Sequence, residues 1–235
     1  MDAAYGLARA LLLPPLSYGF DWTVQGAASI PSSGPVILAS NHVSYLDPLA
    51  LGYLGNLRRR RLRFLAKAEL FDKAGLGSFL RSARQIPVSR GTSDAASSLD
   101  GGLAALQQGE CLAVFPEGTI SLDLEPMAGK SGTARLAIMS GAPVVPVGLW
   151  GAQRIMFKGR KPRWRWGVAE VAVVGEPLRF AADDDVRDAT DRIMAAICAA
   201  VAQARAIYPQ QSSEGEGDWW VREPETAQLR SCRTA

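Results

Sequence analysis

The chain has 235 residues, 48% hydrophobic and 21% charged, the balance of one folded domain, which excludes a wholly disordered or fibrous protein. Lys and Arg number 26 against 23 Asp and Glu, and a net charge of +3 is too small to mark a nucleic-acid binder. Three scattered cysteines (Cys111, Cys198, Cys232) offer no disulfide framework or cysteine-based zinc site and point to a reducing compartment, while a single histidine confines any imidazole chemistry to His42.

In chain order, residues 3–13 read as a short amphipathic helix that either lies in a membrane interface or docks on the core. The uncharged run 10–20 is broken by Pro14-Pro15 and is shorter than the roughly 20 apolar residues a bilayer span needs. It also lacks the basic start and cleavage site of a signal peptide. Residues 35–39 form a buried strand, followed by a helix over 48–56 and short strands at 63–66 and 85–88. Ala95, Leu99, Leu103 and Leu106 follow helical spacing as far as Gly109, a C-terminal cap. A strand at 111–115 precedes a helix at 135–140 closed by Gly141, then strands at 144–149 and 168–174. The last helix, 184–207, carries Ile193, Ile197, Val201 and Ala204 on one face behind an acidic first turn that suits the helix dipole. Strand–helix alternation of this kind predicts an α/β fold whose sheet is covered by helices. Residues 210–235 have the polar composition of a disordered tail, except that Trp219-Trp220 would touch either the domain or a membrane.

Two constellations carry chemistry. His42 falls just past the end of the 35–39 strand, where open α/β sheets bind ligands. On a continuous helix, His42 and Asp47 would stand about 140° apart. Pro48 instead disfavours helical geometry at Asp47 and suits the first helical position. Asp47 can then fold back onto the imidazole Nδ1–H and leave Nε2 to take a proton. The same residue also reads as an ordinary helix N-cap. At the end of the 111–115 strand, Pro116-Glu117-Gly118-Thr119 is common turn chemistry that places an acceptor and a hydroxyl on the same sheet edge. Gly129-Lys130-Ser131 lacks the first glycine of a P-loop, and no Gly-x-Ser-x-Gly elbow occurs.

Positive charge is concentrated in two acid-free segments. The first holds Arg58, Arg59, Arg60, Arg61, Arg63 and Lys67, the second Arg154, Lys158, Arg160, Lys161, Arg163 and Arg165 interleaved with Trp164 and Trp166. Basic residues with Trp suit an anionic membrane surface. They also suit a nucleic acid or a plain solvated face, and a non-catalytic module binding anionic membranes is the main alternative to an enzyme.

Taken together, these motifs resemble the 1-acyl-sn-glycerol-3-phosphate acyltransferase family of glycerophospholipid acyltransferases. Asn41-His42 through Asp47 is similar to its His-x4-Asp block, and Lys67-Ala68-Glu69-Leu70-Phe71 with Ile86-Pro87-Val88-Ser89-Arg90 to its second region. Phe115-Pro116-Glu117-Gly118-Thr119 resembles the third block and Val144-Val145-Pro146-Val147 the fourth, all in the family's order. The resemblance implies a central mixed, largely parallel sheet covered by helices, with a short N-terminal interfacial helix. Residues 1–20 would form a membrane-interface segment, 21–209 the acyltransferase domain and 210–235 the tail.

The resemblance further implies that His42, oriented by Asp47, deprotonates a glycerol hydroxyl for direct attack on an acyl thioester, from acyl-CoA or acyl carrier protein. No metal or other cofactor and no covalent acyl-enzyme are expected. Lys67 and Arg90 would hold the acceptor phosphate, and Glu117, Gly118 and Thr119 would line the acceptor pocket. The partners implied are a lysophospholipid, an acyl thioester and an anionic membrane surface, with no nucleic acid. The expected location is the cytoplasmic face of the cell membrane, with peripheral or monotopic attachment. One position departs from the pattern. Ile120 stands where the family's third block continues with Arg, so either Lys130 or another basic residue takes that place or the acceptor headgroup differs from plain lysophosphatidate.

Overall fold

The structure is a computed structural model that describes residues 3–88, 95–212 and 216–221. The buried apolar runs become the middle of a seven-stranded sheet. In chain order the strands are β1 (Phe20–Gln25), β2 (Val36–Ser40), β3 (Leu62–Lys67), β4 (Ile86–Val88), β5 (Cys111–Val114), β6 (Val144–Trp150) and β7 (Val168–Val174). Their spatial order is β1-β7-β6-β2-β5-β3-β4. All neighbours pair in parallel except β6 and β7, which are antiparallel. The expected mixed, largely parallel α/β sheet is therefore the observed one.

Successive residues of the central strands face opposite layers. Ile37, Ala39, Leu112 and Val144 pack with α4 (Ala95–Gln107), α5 (Gly132–Ser140) and α6 (Val186–Ala206) on one side. Val36, Leu38, Ala113 and Val145 pack with α2 (Asp47–Leu57) on the other. Burial on both faces explains why these strands read as unbroken apolar runs. Gly148 in β6 lets α6 settle onto the sheet, because a Cβ there would lie 2.3 Å from the Ala200 carbonyl carbon.

The structure differs from expectation at three places. The N-terminal helix α1 (Ala3–Gly19) does not stop at Pro14-Pro15 but continues to Gly19, and it packs against α2, β1 and α3 (Leu76–Ser82). The Trp22 indole donates to the Leu16 carbonyl at 2.7 Å, satisfying one of the acceptors that a helix end leaves open. Strand β1 and helix α3 had no clear periodicity. β1 is a half-exposed edge strand paired only to β7, and α3 has seven residues. Finally, residues 216–221, expected within a disordered tail, are packed onto the domain. Trp220 is buried against Trp150, Val171 and Ala204.

Among the described residues, no helix is long and apolar enough to cross a membrane.

Candidate active site

The site sits at the C-terminal edge of the parallel strands, where β2 and β5 run out side by side. Just past β2, the Asn41 side chain accepts from Leu149 N at 2.8 Å and donates to Leu149 O at 3.0 Å. The chain is thereby tied to β6 for one more residue, and His42 follows at a fixed point.

The next residues wrap around a carboxylate. Asp47 Oδ2 accepts from the Val43 and Ser44 backbone N–H groups, each at 2.7 Å, and lies 2.8 Å from His42 Nδ1. Ser44 Oγ donates to the Met156 carbonyl at 2.8 Å, which pins the loop from its outer side. Asp47 is the first residue of α2 and is fully buried, with Pro48 directly after it. Its carboxylate turns back to the loop and does not cap the helix, so the reading as a simple N-cap gives way to the reading as a partner of His42. The helix N-terminus behind it favours the negative charge. Because a carboxylate only accepts, the hydrogen of the neutral ring sits on Nδ1, and Nε2 remains as a base. The imidazole is partly exposed and stacks on Phe115 at 4.0 Å and 15°, which limits its rotation.

The turn after β5 holds His42 from the other side. Glu117 Oε1 accepts from His42 N at 2.9 Å, Glu117 Oε2 accepts from Met127 N at 3.1 Å, and Ser121 N donates to the His42 carbonyl at 2.8 Å. The Glu117 side chain is thus committed to backbone groups and buried. Burial pushes its carboxyl up to about 8, against the pull of the two backbone donors. Gly118 adopts φ 72°, a left-handed turn that glycine takes without strain. The Lys130 side chain lies across it, with Nζ 2.9 Å from the point a Cβ would occupy. Thr119 is exposed beside it, whereas Ile120 is buried and presents nothing to the edge.

Lys67 ends β3 on the same edge, with its ammonium 2.8 Å from Glu69. Arg90 lies outside the described residues.

The edge therefore offers an oriented imidazole, a cation lying across the adjacent turn and a second cation at the end of β3. Residues 21–150, which contain all of these, match the family described as Acyltransferase. The chain belongs to the Acyltransferase family.

This acyltransferase is 29% identical over 160 residues to the 1-acyl-sn-glycerol-3-phosphate acyltransferase of Bacillus subtilis (strain 168), covering 67% of this chain and 74% of that one. It is 30% identical over 204 residues to the human 1-acyl-sn-glycerol-3-phosphate acyltransferase alpha, covering 85% and 68% respectively. Among solved structures it resembles the 1-acyl-sn-glycerophosphate (LPA) acyltransferase PlsC from Thermotoga maritima. The TM-score is 0.63 and the identity 25%, over 89% of this chain and 85% of that one.

Elsewhere in the acyltransferase, the two basic segments have different fates. Arg60 is buried and donates to the carbonyls of Pro31, Gly34 and Gly109, and Arg58 donates to Ile30. These carbonyls precede β2 and β5, at the end of the sheet opposite His42, so Arg58 and Arg60 are structural ties and not a ligand surface. The second segment lies beside the site and keeps Trp164 and Trp166 exposed.

Within this segment, Arg154 is an exception. Its guanidinium is buried, bonded to both oxygens of Glu216 at 2.7 and 2.8 Å, and stacked over Trp220 at 4.1 Å. Sequence reading also passed over Glu170 of β7. It is fully buried, and its carboxyl is pushed well above the usual range, by burial first and by the Asp47 charge second. An acid inside an apolar strand was the available signal.

Proposed function

We propose that this enzyme acylates the free hydroxyl of 1-acyl-sn-glycerol 3-phosphate to give phosphatidate, drawing the acyl group from a thioester donor. The observation that carries the mechanism is the Nδ1–Asp47 contact, which leaves His42 Nε2 as the only open nitrogen of a partly exposed ring. Nε2 takes the hydroxyl proton as the oxygen attacks the thioester carbonyl carbon. The C–S bond then breaks, and the proton passes from the imidazolium to the departing thiolate. A thioester is already activated, so one positioned base contributing about 10²–10⁴-fold, with orientation of the hydroxyl, is an adequate division of labour. No covalent acyl-enzyme and no metal enter this scheme.

The acceptor side follows from the edge. Lys67 and Lys130 hold the phosphate, Gly118 and Thr119 line the pocket, and Glu117 positions His42 through its backbone. Lys130 supplies the charge that Ile120 does not. Arg90 belongs to the same group on the strength of the family resemblance. Tyr18 in the last turn of α1, Trp166 beside Gly19, and Trp164 are exposed, which supports peripheral attachment to a membrane, proposed here at its cytoplasmic face. We place the main domain at 21–209, with residues 216–221 docked on it and the N-terminal segment as its membrane-side accessory.

The test is a reaction of purified protein with lysophosphatidate and either acyl-CoA or acyl carrier protein thioester, read by mass spectrometry. Phosphatidate should form and should vanish in His42→Ala, with the circular dichroism spectrum unchanged. Transfer at near the wild-type rate in that variant would overturn the mechanism. Formation of another lipid in place of phosphatidate would overturn the acceptor.

A further inference from the structure

A cavity of about 230 Å³ opens between the loop that follows β6 and the docked segment 216–221, wholly outside the residues 21–150 that carry the family match. Phe157 and Trp219 give it aromatic walls, their rings 5.1 Å apart. Arg160, Lys161 and Arg163 bring positive charge to the lining, and Arg160 lies over the Trp219 ring at 4.1 Å. Among the described lining residues the only acid is Glu216, and its carboxylate is already gripped by Arg154 and by Arg165 at 2.8 Å. The cavity is therefore cationic, with its one negative charge answered before any ligand arrives.

Size restricts the occupant. At about 230 Å³ the cavity is smaller than the pockets that take drug-sized ligands. It accommodates a charged headgroup and a small planar or apolar portion, but not an acyl chain. Guanidinium and ammonium groups beside aromatic faces suit a phosphate whose carrier rests on the ring. The cavity also adjoins the catalytic loop. Ile155 and Phe157 flank Met156, whose carbonyl receives Ser44 Oγ at 2.8 Å and Tyr45 N at 3.3 Å, both within the His42–Asp47 turn.

We propose that this cavity is a second anion site, which binds a phosphate monoester on Arg160 and Lys161 against Trp219, beside the loop that carries the base. Two molecules bring that chemistry to an enzyme of this class: the 3′-phosphate end of a coenzyme A thioester and the headgroup of phosphatidate in a membrane. The coenzyme A source rests on the thioester donor proposed above, but the binding itself does not.

The experiment titrates the full chain and an Arg160→Ala/Lys161→Ala variant with adenosine 3′,5′-bisphosphate, following tryptophan fluorescence. In parallel it measures co-sedimentation with phosphatidylcholine vesicles, with and without added phosphatidate. Both side chains are exposed, so the variant should keep the wild-type circular dichroism spectrum and melting temperature. Loss of about tenfold or more in bisphosphate affinity, with a matching rise in KM for acyl-CoA, assigns the site to the donor. A loss confined to phosphatidate vesicles assigns it to the lipid headgroup. Equal binding of both probes by the two proteins, or binding of neither probe by the wild type, overturns the proposal. A chain that binds a probe here yet forms no phosphatidate would count against the proposed reaction, not against the site.

Discussion

Glu117 grips His42 by its backbone, not by its ring: the carboxyl accepts the His42 N–H at 2.9 Å while its other oxygen takes Met127 N–H. The acid of the Pro-Glu-Gly turn therefore fixes the His42 backbone, and on the proposed mechanism it positions the base. Replacing Glu117 with Ala leaves two partly buried N–H groups without their acceptor, at a cost of about 1 kcal/mol each. The expected outcome is a lower urea midpoint together with a lower kcat. Glu117→Gln, which keeps one acceptor and turns an NH₂ toward the second donor, should fall between Ala and wild type in both measurements.

The same carboxyl makes stability depend on pH. Its ordinary value is 4.5 and its folded value about 8, so the unfolded chain releases the proton first. Its contribution is fully present below 4.5 and is lost as pH rises through 8. The stability of Glu117→Gln relative to wild type should therefore rise with pH across this window. Urea denaturation of both proteins at a series of pH values measures the difference, and a difference that is flat or falling would contradict the assignment.

Asp47 accepts three hydrogens on one oxygen, two of them from backbone. Asp47→Asn preserves the volume but removes the charge that holds the ring in its tautomer. We expect kcat to drop by about 10²–10⁴-fold with KM for the acceptor little changed. Steady-state kinetics distinguishes this from a binding defect, which would raise KM instead.

The buried Arg154–Glu216 pair anchors the docked C-terminal segment, with both side chains almost fully enclosed. Breaking a buried pair from one side costs about 3–5 kcal/mol. Arg154 retains Tyr208 and Gln210 as partners, which puts Glu216→Ala at the lower end, about 3 kcal/mol. Calorimetry of this variant should show an earlier transition. Proteolysis should cut the chain beyond residue 210 sooner than in wild type.

Legibility in the sequence followed locality and burial. β2, β5 and β6 were readable because both faces are enclosed, which leaves no polar residue to interrupt the run. The His42–Asp47 turn was readable because its spacing and Pro48 are adjacent in sequence. The half-exposed β1 was not, since Asp21 and Gln25 among its aromatics follow the sheet edge and not a clean alternation. Arg60 looked like surface charge because a sequence cannot show that three backbone carbonyls converge on one guanidinium. The sequence leaves Trp219-Trp220 open between domain and membrane for a similar reason: the partners that decide for the domain, Phe157, Tyr208 and Arg154, are supplied by the fold. Glu117 was correctly placed on the edge with His42, but a direction toward the substrate could not be told from a direction toward the backbone.

Asn41 and Leu149 are 108 residues apart, and His42 and Glu117 are 75 apart, whereas His42 and Asp47 are separated by only five. During synthesis His42 and Asp47 leave the ribosome early, while the strand that fixes their position arrives much later. A nascent chain that stops short of β6 carries this pair without the frame that aims it. Because such long-range parallel pairing is slow to form, catalytic competence should appear late and in one step as the central sheet closes. On the proposed mechanism, an enzyme assembled in this order has no working site in which a thioester would be met before an acceptor hydroxyl can be aligned with it.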